Sequence, residues 1–108
     1  MSDAYDDDDA EPEITVPEGG HLRILPIINR RGLHARASAK FVQTVERFEA
    51  AVTVTRSGET VGGRSIMGLL TLGAAQGTSI AVVASGSDAE ACLQAIADLL
   101  ANKFGEDE

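Results

Sequence analysis

The sequence feature that most constrains the fold is a change of pattern across residues 28–38, where an apolar, strand-like run becomes an amphipathic, helix-like run. Gly32 lies between the two runs, so we expect the chain to turn there and to begin a helix close to His34. A helix start leaves backbone N–H groups without intrahelical partners and carries partial positive charge, which favours a bound anion. Arg36 adds a guanidinium fork that suits phosphoryl oxygens. The pattern leaves two interpretations of His34: an ordinary surface histidine, or one whose ring nitrogen accepts a phosphoryl group and holds it in a positive environment.

The segments on either side of this junction have clear periodicities. Residues 22–28 are rich in branched apolar residues and predict a strand. Pro26 has no N–H for a ladder, so we expect this strand at the edge of a sheet. From Ala35 to about Phe48, apolar residues recur at spacings of four, four and three, which predicts a helix. Its buried face consists of Ala37, Phe41, Val45 and Phe48.

The rest of the chain continues the alternation of strands and helices. Strands are predicted at 50–55, 59–61 and 78–84, and helices at about 65–72 and 88–103. The resulting order, β-α-β-β-α-β-α, is typical of an α+β protein with an antiparallel sheet and three helices on one face. The buried face of the last helix is expected to contain Cys92, Ile96, Leu99 and Leu100.

Composition narrows the class of protein. The chain has 108 residues, no Trp and a single cysteine, which indicates one small domain without an intramolecular disulfide and fits a reducing cytoplasm. Residues 1–20 hold eight of the 17 acidic residues and no Lys or Arg, so they predict a disordered acidic tail. Such a tail is solubilising, or else it docks to a partner or screens the arginines near His34. Nine acidic and nine basic residues remain, which is too weak a positive field for nucleic acid, and no apolar stretch would span a membrane.

Two motifs resemble those of one known family. Residues 32–36, Gly-Leu-His-Ala-Arg, closely resemble the phosphorylation-site signature of the HPr family, the histidine phosphocarriers of the bacterial phosphotransferase system. Residues 63–73, Gly-Arg-Ser-Ile-Met-Gly-Leu-Leu-Thr-Leu-Gly, resemble the regulatory-serine segment of that family, in register with the first motif. The resemblance runs over about 21–104, which are expected to form an HPr-like domain, with 105–108 as an acidic end. It implies an open-faced sandwich with sheet order 1-4-2-3, in agreement with the edge position expected from Pro26.

The resemblance also implies a function. His34 is the expected phosphoryl acceptor, through Nδ1, and Arg36 is expected to stabilise the phosphate. The phosphoryl group is expected to arrive from enzyme I, charged by phosphoenolpyruvate, and to leave to a histidine of an enzyme IIA-type protein in sugar transport. Such a protein is a cytoplasmic, monomeric phosphocarrier rather than an enzyme, with no cofactor or metal. Ala37 replaces the usual proline of the family, and the N–H it restores near the phosphate is expected to change transfer rate or phosphohistidine lifetime.

Ser65 has two compatible interpretations. As a helix N-cap, its hydroxyl would stabilise the fold by about 1 kcal/mol. The Ser-Ile-Met-Gly sequence also resembles family members that an HPr kinase/phosphorylase regulates, which implies phosphorylation of Ser65. Ile66 and Met67 follow it and are expected to be exposed, forming a small apolar docking patch rimmed by Arg36 and Lys40.

Two other functions remain as alternatives. One is a regulatory binding module, in which the phosphorylation state of His34 or Ser65 controls a kinase or a transcription regulator without sugar transport. The nitrogen-related branch of the phosphotransferase system would suit this alternative. The other is a small-ligand sensor on a related open sheet, which leaves the paired motifs unexplained. The second histidine, His21, lacks a basic or glycine-rich context and is expected to be structurally incidental.

Overall fold

The computed structural model describes residues 14–107, so residues 1–13 of the predicted acidic tail lie outside the described part of the chain. Its helices and strands follow the predicted order. They are β1 (His21–Pro26), α1 (Ala35–Val45), β2 (Ala51–Arg56), β3 (Glu59–Gly62), α2 (Ile66–Thr71), β4 (Ser79–Ser85) and α3 (Ala89–Ala101), followed by a 3₁₀ turn at Lys103–Gly105. The predicted β-α-β-β-α-β-α arrangement is therefore confirmed.

The four strands form one antiparallel sheet in the order β1-β4-β2-β3. Pro26 lies in β1, at the edge of the sheet, where a residue without an N–H costs least. Strand β4 is central and pairs Ile80 with Leu25 on one side and Val82 with Val54 on the other. The expected sheet order 1-4-2-3, with the first strand at an edge and the fourth inside, is confirmed.

The three helices pack on one face of the sheet and close a single core. In β2 the buried residues Val52 and Val54 alternate with exposed ones, whereas the central strand β4 is buried at every position from Ile80 to Ala84. The core contains Leu25, Val52, Val54, Ile80 and Val82 from the strands, and Phe41, Val45, Leu69, Cys92, Ile96 and Leu100 from the helices. Since α1 and α2 also contact each other, the beginnings of both helices are fixed by the same core.

Helix α1 is shorter than its apolar pattern predicts. It ends at Val45, and the next residues form tighter turns in which Arg47 N–H donates to Thr44 O and Phe48 N–H to Val45 O, at 3.2 and 3.1 Å. Phe48 nevertheless packs against the core from this turn. The apolar spacing continued past the helix end because a tightened last turn still directs the fourth apolar residue inward.

The opposite face of the sheet is only partly covered. The large side chains of Leu22 and Ile24 are exposed on it. Residues 14–17 lie along this face, where Ile14 lines a groove together with Thr55 and Val83. A turn from Pro17 to Gly20, with Gly20 N–H donating to Pro17 O at 2.7 Å, then leads into β1. No helix within residues 14–107 is both long and apolar enough to cross a bilayer.

Candidate functional site

The loop between β1 and α1 is held rigidly against the chain segment that follows α2. Gly32 has φ +68°, and a Cβ at this position would lie 2.5 Å from Ala74 O. Leu33 is buried and its N–H donates to the same carbonyl oxygen at 2.9 Å. Only glycine meets both the backbone conformation and the close approach. The turn expected at Gly32 therefore delivers His34 to a fixed position.

His34 occupies the N-cap position of α1 with an extended backbone, and its C=O accepts from Ser38 N–H at 2.8 Å. Among residues 14–107, the His34 side chain makes no capping hydrogen bond to its own helix. The first-turn N–H groups of Ala35, Arg36 and Ala37 have no intrahelical partner in this geometry. The imidazole thus stands at a helix start whose donors are available to an anion.

The imidazole contacts a carboxylate from the other end of the chain. His34 Nε2 lies 2.5 Å from Glu106 Oε2, and the two side chains are only 18% and 16% exposed. Glu106 Oε1 accepts a further hydrogen bond, at 3.0 Å, from Nδ2 of the fully buried Asn29. Asn29 Nδ2 also donates to Gly32 O at 2.8 Å. One asparagine therefore links the glycine turn to the carboxylate.

Glu106 reaches this position because the chain reverses sharply after α3. Lys103, Phe104 and Gly105 all have positive φ, of 56°, 57° and 80°. For the two non-glycine residues this conformation costs of order 1 kcal/mol or more each, and surrounding contacts must sustain it. Phe104 is buried in the core, and its carbonyl oxygen accepts from Lys40 Nζ at 2.6 Å. We call residues 103–106 the C-terminal hook.

The pKa of the Glu106 carboxyl group, in the C-terminal hook, is shifted by its surroundings. Burial raises the pKa of Glu106, but hydrogen bonds from His34 and Asn29, with the charges of His34 and Arg31, outweigh it. The pKa of Glu106 is therefore lower than the ordinary value of 4.5. It follows that this side chain is an ionised, acceptor-only group near neutral pH.

A positively charged cleft opens beside the histidine. Arg31, Arg36 and Lys40 line it, together with Glu106 and Asp107. Arg36 is exposed and has no hydrogen-bond or ion-pair partner within the described residues, whereas Lys40 is held by the hook. Residues 14–107 contain no cluster of three or more His, Cys, Asp or Glu that would hold a metal ion. The cleft therefore offers two guanidinium groups, those of Arg31 and Arg36, to an anion.

Ser65 begins a different helix. It is the N-cap of α2, and its Oγ accepts from Gly68 N–H at 2.9 Å, which confirms the predicted cap. A Cβ at Gly68 would lie 3.0 Å from both Ser65 Oγ and Val61 Cβ, so this glycine keeps the cap compact. Ile66 and Met67 are 40% and 70% exposed, as expected, while Leu69 is buried.

The structure thus distributes the predicted site residues over two helix starts. His34, Arg36 and Lys40 lie on the first helix or at its beginning, and Lys40 contacts the hook in addition. Ser65, Ile66 and Met67 lie at the beginning of the second, which packs on the first. His21 is separate, with its Nε2 3.9 Å from Glu90 Oε2 at an exposed position.

Two residues of the site, Asn29 and Glu106, were not among the predicted ones. Asn29 lies inside the 28–38 stretch that drew attention to His34, and its polarity between apolar Ile28 and the glycine turn is a weak signal. Glu106 is seventy-two residues from His34 and looks like one more charge in an acidic end. Only the reversal of the chain at Lys103–Gly105 brings it to the imidazole.

Comparison with known proteins gives consistent matches. The family model described as "PTS HPr component phosphorylation site" matches residues 22–102. The phosphocarrier protein HPr of Neisseria meningitidis serogroup A is 48% identical over 84 residues, which are 78% of this chain and 94% of that protein. The multiphosphoryl transfer protein of Haemophilus influenzae is 37% identical over 92 residues, which are 82% of this chain but 18% of that protein.

The fold also matches solved structures. The crystal structure of HPr-C-His from Thermoanaerobacter tengcongensis superposes with a TM-score of 0.78 at 39% sequence identity. The match covers 82% of this chain and 99% of that one. The residues that the family model matches, 22–102, include the starts of both helices.

Proposed function

Because the chain belongs to the HPr family of phosphocarrier proteins of the phosphotransferase system, we propose that His34 is its phosphoryl acceptor and Arg36 the residue that stabilises the phosphate. The observation that carries this proposal is the position of His34 at the start of α1, beside a cleft lined by Arg36. The unpaired N–H groups of the first turn and Arg36 in this cleft would be available to a phosphoryl group on the imidazole. Each charge-assisted contact would contribute roughly 1 kcal/mol.

The moderate strength of this environment suits a carrier. A phosphorylated imidazole is a good phosphoryl donor because the neutral ring leaves readily. A cage of several arginines would hold the phosphate too tightly and oppose its onward transfer. Here Lys40 is engaged by the hook, and the cleft keeps two exposed arginines, Arg31 and Arg36, so few cationic contacts would hold the phosphoryl group.

We assign the flow of phosphoryl groups by family membership. Phosphorylated enzyme I, charged by phosphoenolpyruvate, would donate to His34, and an enzyme IIA-type histidine would accept from it. The chain would act as a covalent intermediate in this relay and would catalyse no reaction alone. Ile66 and Met67, exposed beside α1, would supply the apolar part of the docking surface, and Lys40 its rim.

Ser65 is proposed as a regulatory phosphorylation site for an HPr kinase/phosphorylase. Its residue is exposed, and the two apolar side chains that follow it are exposed as well. A phosphate there would add nearly two negative charges to the docking surface. This observation also favours the second candidate function, a binding module that reports phosphorylation state to regulatory proteins without sugar transport.

Incubation with enzyme I and phosphoenolpyruvate, followed by phosphosite mapping, tests the proposal directly. We expect a single acid-labile phosphate on His34. Subsequent addition of an enzyme IIA-type protein should discharge it. Labelling of any other residue in place of His34 would contradict the assignment. Charging of His34 without discharge to any enzyme IIA-type protein would favour the regulatory function.

A further inference from the structure

Residues 14–107 contain two histidine–glutamate pairs in very different surroundings. His34 Nε2 is 2.5 Å from the Glu106 carboxylate, with both side chains mostly buried. His21 Nε2 is 3.9 Å from the Glu90 carboxylate, with the side chains 43% and 82% exposed. A distance of 3.9 Å is too long for a hydrogen bond. Only the His34–Glu106 pair therefore has the contact and the burial needed to control the state of an imidazole.

The His34–Glu106 contact determines which ring nitrogen carries the proton. An ionised carboxylate only accepts hydrogen bonds, so Nε2 must be the donor in the contact with Glu106. In a neutral imidazole the other nitrogen is then unprotonated. Nδ1 consequently carries the lone pair, and Nε2 is blocked as a nucleophile. The geometry alone selects the nitrogen that is free to bond to phosphorus.

Glu106 is also held by Asn29, through the carboxylate oxygen that does not contact His34. The fully buried amide of Asn29 donates to Glu106 Oε1 and to Gly32 O, both of which are acceptors, so its orientation is settled. Asn29 Oδ1 is buried and has no hydrogen-bond partner among residues 14–107. The Asn29 amide nitrogen thus holds Glu106 Oε1 and the Gly32 carbonyl oxygen together.

The hook gives the carboxylate a rigid support. Phe104 anchors it in the core, Lys40 Nζ bonds its backbone, and Glu106 N–H donates to Lys103 O at 2.9 Å. Left-handed backbone at two non-glycine residues persists only when several contacts impose it. The reversal places Glu106 on the imidazole in addition to burying Phe104.

We propose that Glu106 is a positioning residue that holds His34 in the Nε2-protonated tautomer and so makes Nδ1 the phosphoryl acceptor. The proposal rests on the proposed function of His34. In the transfer, a bond forms between Nδ1 and phosphorus while the bond between phosphorus and a nitrogen of the donor phosphohistidine breaks. The electron pair of that broken bond stays on the donor nitrogen.

No proton needs to leave His34 during this step. The ring gains positive charge as Nδ1 bonds to phosphorus, and Nε2–H remains paired with the Glu106 carboxylate. The same carboxylate thus selects the nucleophilic nitrogen before transfer and stabilises the ring afterwards. This is the role of a carboxylate that orients a catalytic histidine, carried here by the C-terminal hook.

Nitrogen-15 NMR of the unphosphorylated full chain tests the tautomer without any partner protein. We expect the parent His34 ring to be protonated at Nε2 when neutral, and Glu106→Gln to lose this preference, because a glutamine amide offers both a donor and an acceptor. Glu90→Gln removes the same charge from the other pair and should leave the His34 signals unchanged. A parent ring protonated at Nδ1, or a Glu106→Gln ring identical to the parent, would overturn the proposal.

Phosphorylation kinetics with enzyme I and phosphoenolpyruvate provide the second measurement. We expect Glu106→Gln to slow His34 phosphorylation by about tenfold or more, the scale seen when a partner that orients a histidine is lost. Glu106→Asp keeps the charge but shortens the side chain, so its phosphorylation rate should lie between those of the parent and Glu106→Gln. If His34 were phosphorylated faster in Glu106→Gln than in the parent, the carboxylate would only repel the incoming phosphoryl group. If Glu106→Asp were phosphorylated at the parent rate, the effect would come from charge alone. Either result would refute the positioning role.

The two measurements separate this inference from the proposed function. If enzyme I fails to label the parent, the proposed function is wrong, yet the tautomer can still be read from the NMR spectrum. If the parent is labelled on His34 but its tautomer is independent of Glu106, the function stands and the positioning role does not. Thermal melts of each variant, with an unchanged folded baseline at the working temperature, establish that the protein being measured is folded.

Discussion

The starts of helices α1 and α2 use their first side chains in opposite ways. Ser65 turns its hydroxyl back onto its own helix, where it accepts from Gly68 N–H. His34 occupies the equivalent position in α1, but its side chain leaves the helix donors alone and contacts Glu106 instead. One residue satisfies the helix start, and the other leaves it available.

This difference separates stability from chemistry. A capped helix start has fewer donors to offer an anion, whereas an uncapped start keeps them and forgoes the stabilisation of about 1 kcal/mol that a cap provides. The α1 start forgoes its cap and is stabilised from elsewhere, through the Gly32 turn against Ala74 and through the buried Leu33. Its side chain is therefore free to react without unfolding the helix.

The sharpest test of the comparison removes the reactive side chain itself. His34→Ala should abolish the acid-labile phosphoprotein signal produced by enzyme I and phosphoenolpyruvate, since no other described imidazole stands at an uncapped helix start. His21→Ala, the matched control, should retain full labelling because His21 is exposed on β1 and away from the cleft. Persistent labelling of His34→Ala would remove the distinction between the two starts.

The next largest effect is expected at Arg36. Arg36→Ala should slow phosphoryl transfer by about tenfold to a hundredfold, from the loss of a charged hydrogen bond worth about 1.5–3 kcal/mol. The fold should be unaffected because Arg36 is exposed. The control is Arg47→Ala, which removes an exposed arginine in the turn after α1 that lies over the Phe48 ring, and this variant should keep the parent transfer rate. Equal transfer rates in the two variants would show that the arginine next to His34 plays no part.

A negative charge at the capped start of α2 should affect His34 at the uncapped start of α1, because enzyme I is expected to dock on both. Ser65→Asp adds a negative charge beside Ile66 and Met67, and it should weaken enzyme I docking by about tenfold, near 1.4 kcal/mol. An aspartate is accepted at an N-cap, so the free energy of unfolding should change little. Titration of enzyme I binding by calorimetry measures the effect. Docking as tight as that of the parent would mean that the two helix starts serve separate surfaces.

Removal of the cap alone should cost stability and nothing else. Ser65→Ala loses the hydrogen bond from Gly68 N–H, and the free energy of unfolding should fall by about 1 kcal/mol. Urea unfolding of this variant should be compared with that of Ser87→Ala, an exposed serine just before α3 that should be neutral. A phosphorylation rate of His34 reduced in Ser65→Ala would contradict the division between structural and chemical starts.

The smallest expected effect is a dependence of stability on pH that is confined to the α1 start. The pKa of Glu106 is lower in the folded chain than its ordinary value of 4.5, so the unfolded chain binds this proton more readily. Its contribution to stability is therefore present above pH about 4.5 and is lost as the pH falls through the folded value. Thermal melts between pH 7 and pH 3 should show a weaker acid destabilisation in Glu106→Gln than in the parent. Ser65→Ala should keep the acid dependence of the parent, because a hydroxyl does not titrate in this range.

Local sequence patterns predicted the secondary structure and the edge position of β1 well. The apolar spacing in α1, the single N–H missing at Pro26 and the hydroxyl of Ser65 each act over a few residues, and each has the consequence expected from it. The helix end was the exception, because α1 stops at Val45 while Phe48 still reaches the core from a turn. Periodicity reports which side chains are buried, and it is less informative about the backbone that carries them.

The site was predictable only in part for the same reason. The sequence by itself determined that His34 follows a glycine turn at a helix start and that Arg36 accompanies it, because these relations are fixed within five residues. Tertiary structure alone decided the partner of the imidazole. The left-handed reversal at Lys103–Gly105 and the burial of Phe104 carry Glu106 across the molecule to Nε2, and Asn29 fastens it there. An acidic residue near a chain end has no periodicity that reveals such a contact, since its position depends on packing over seventy-two residues of separation rather than on its neighbours.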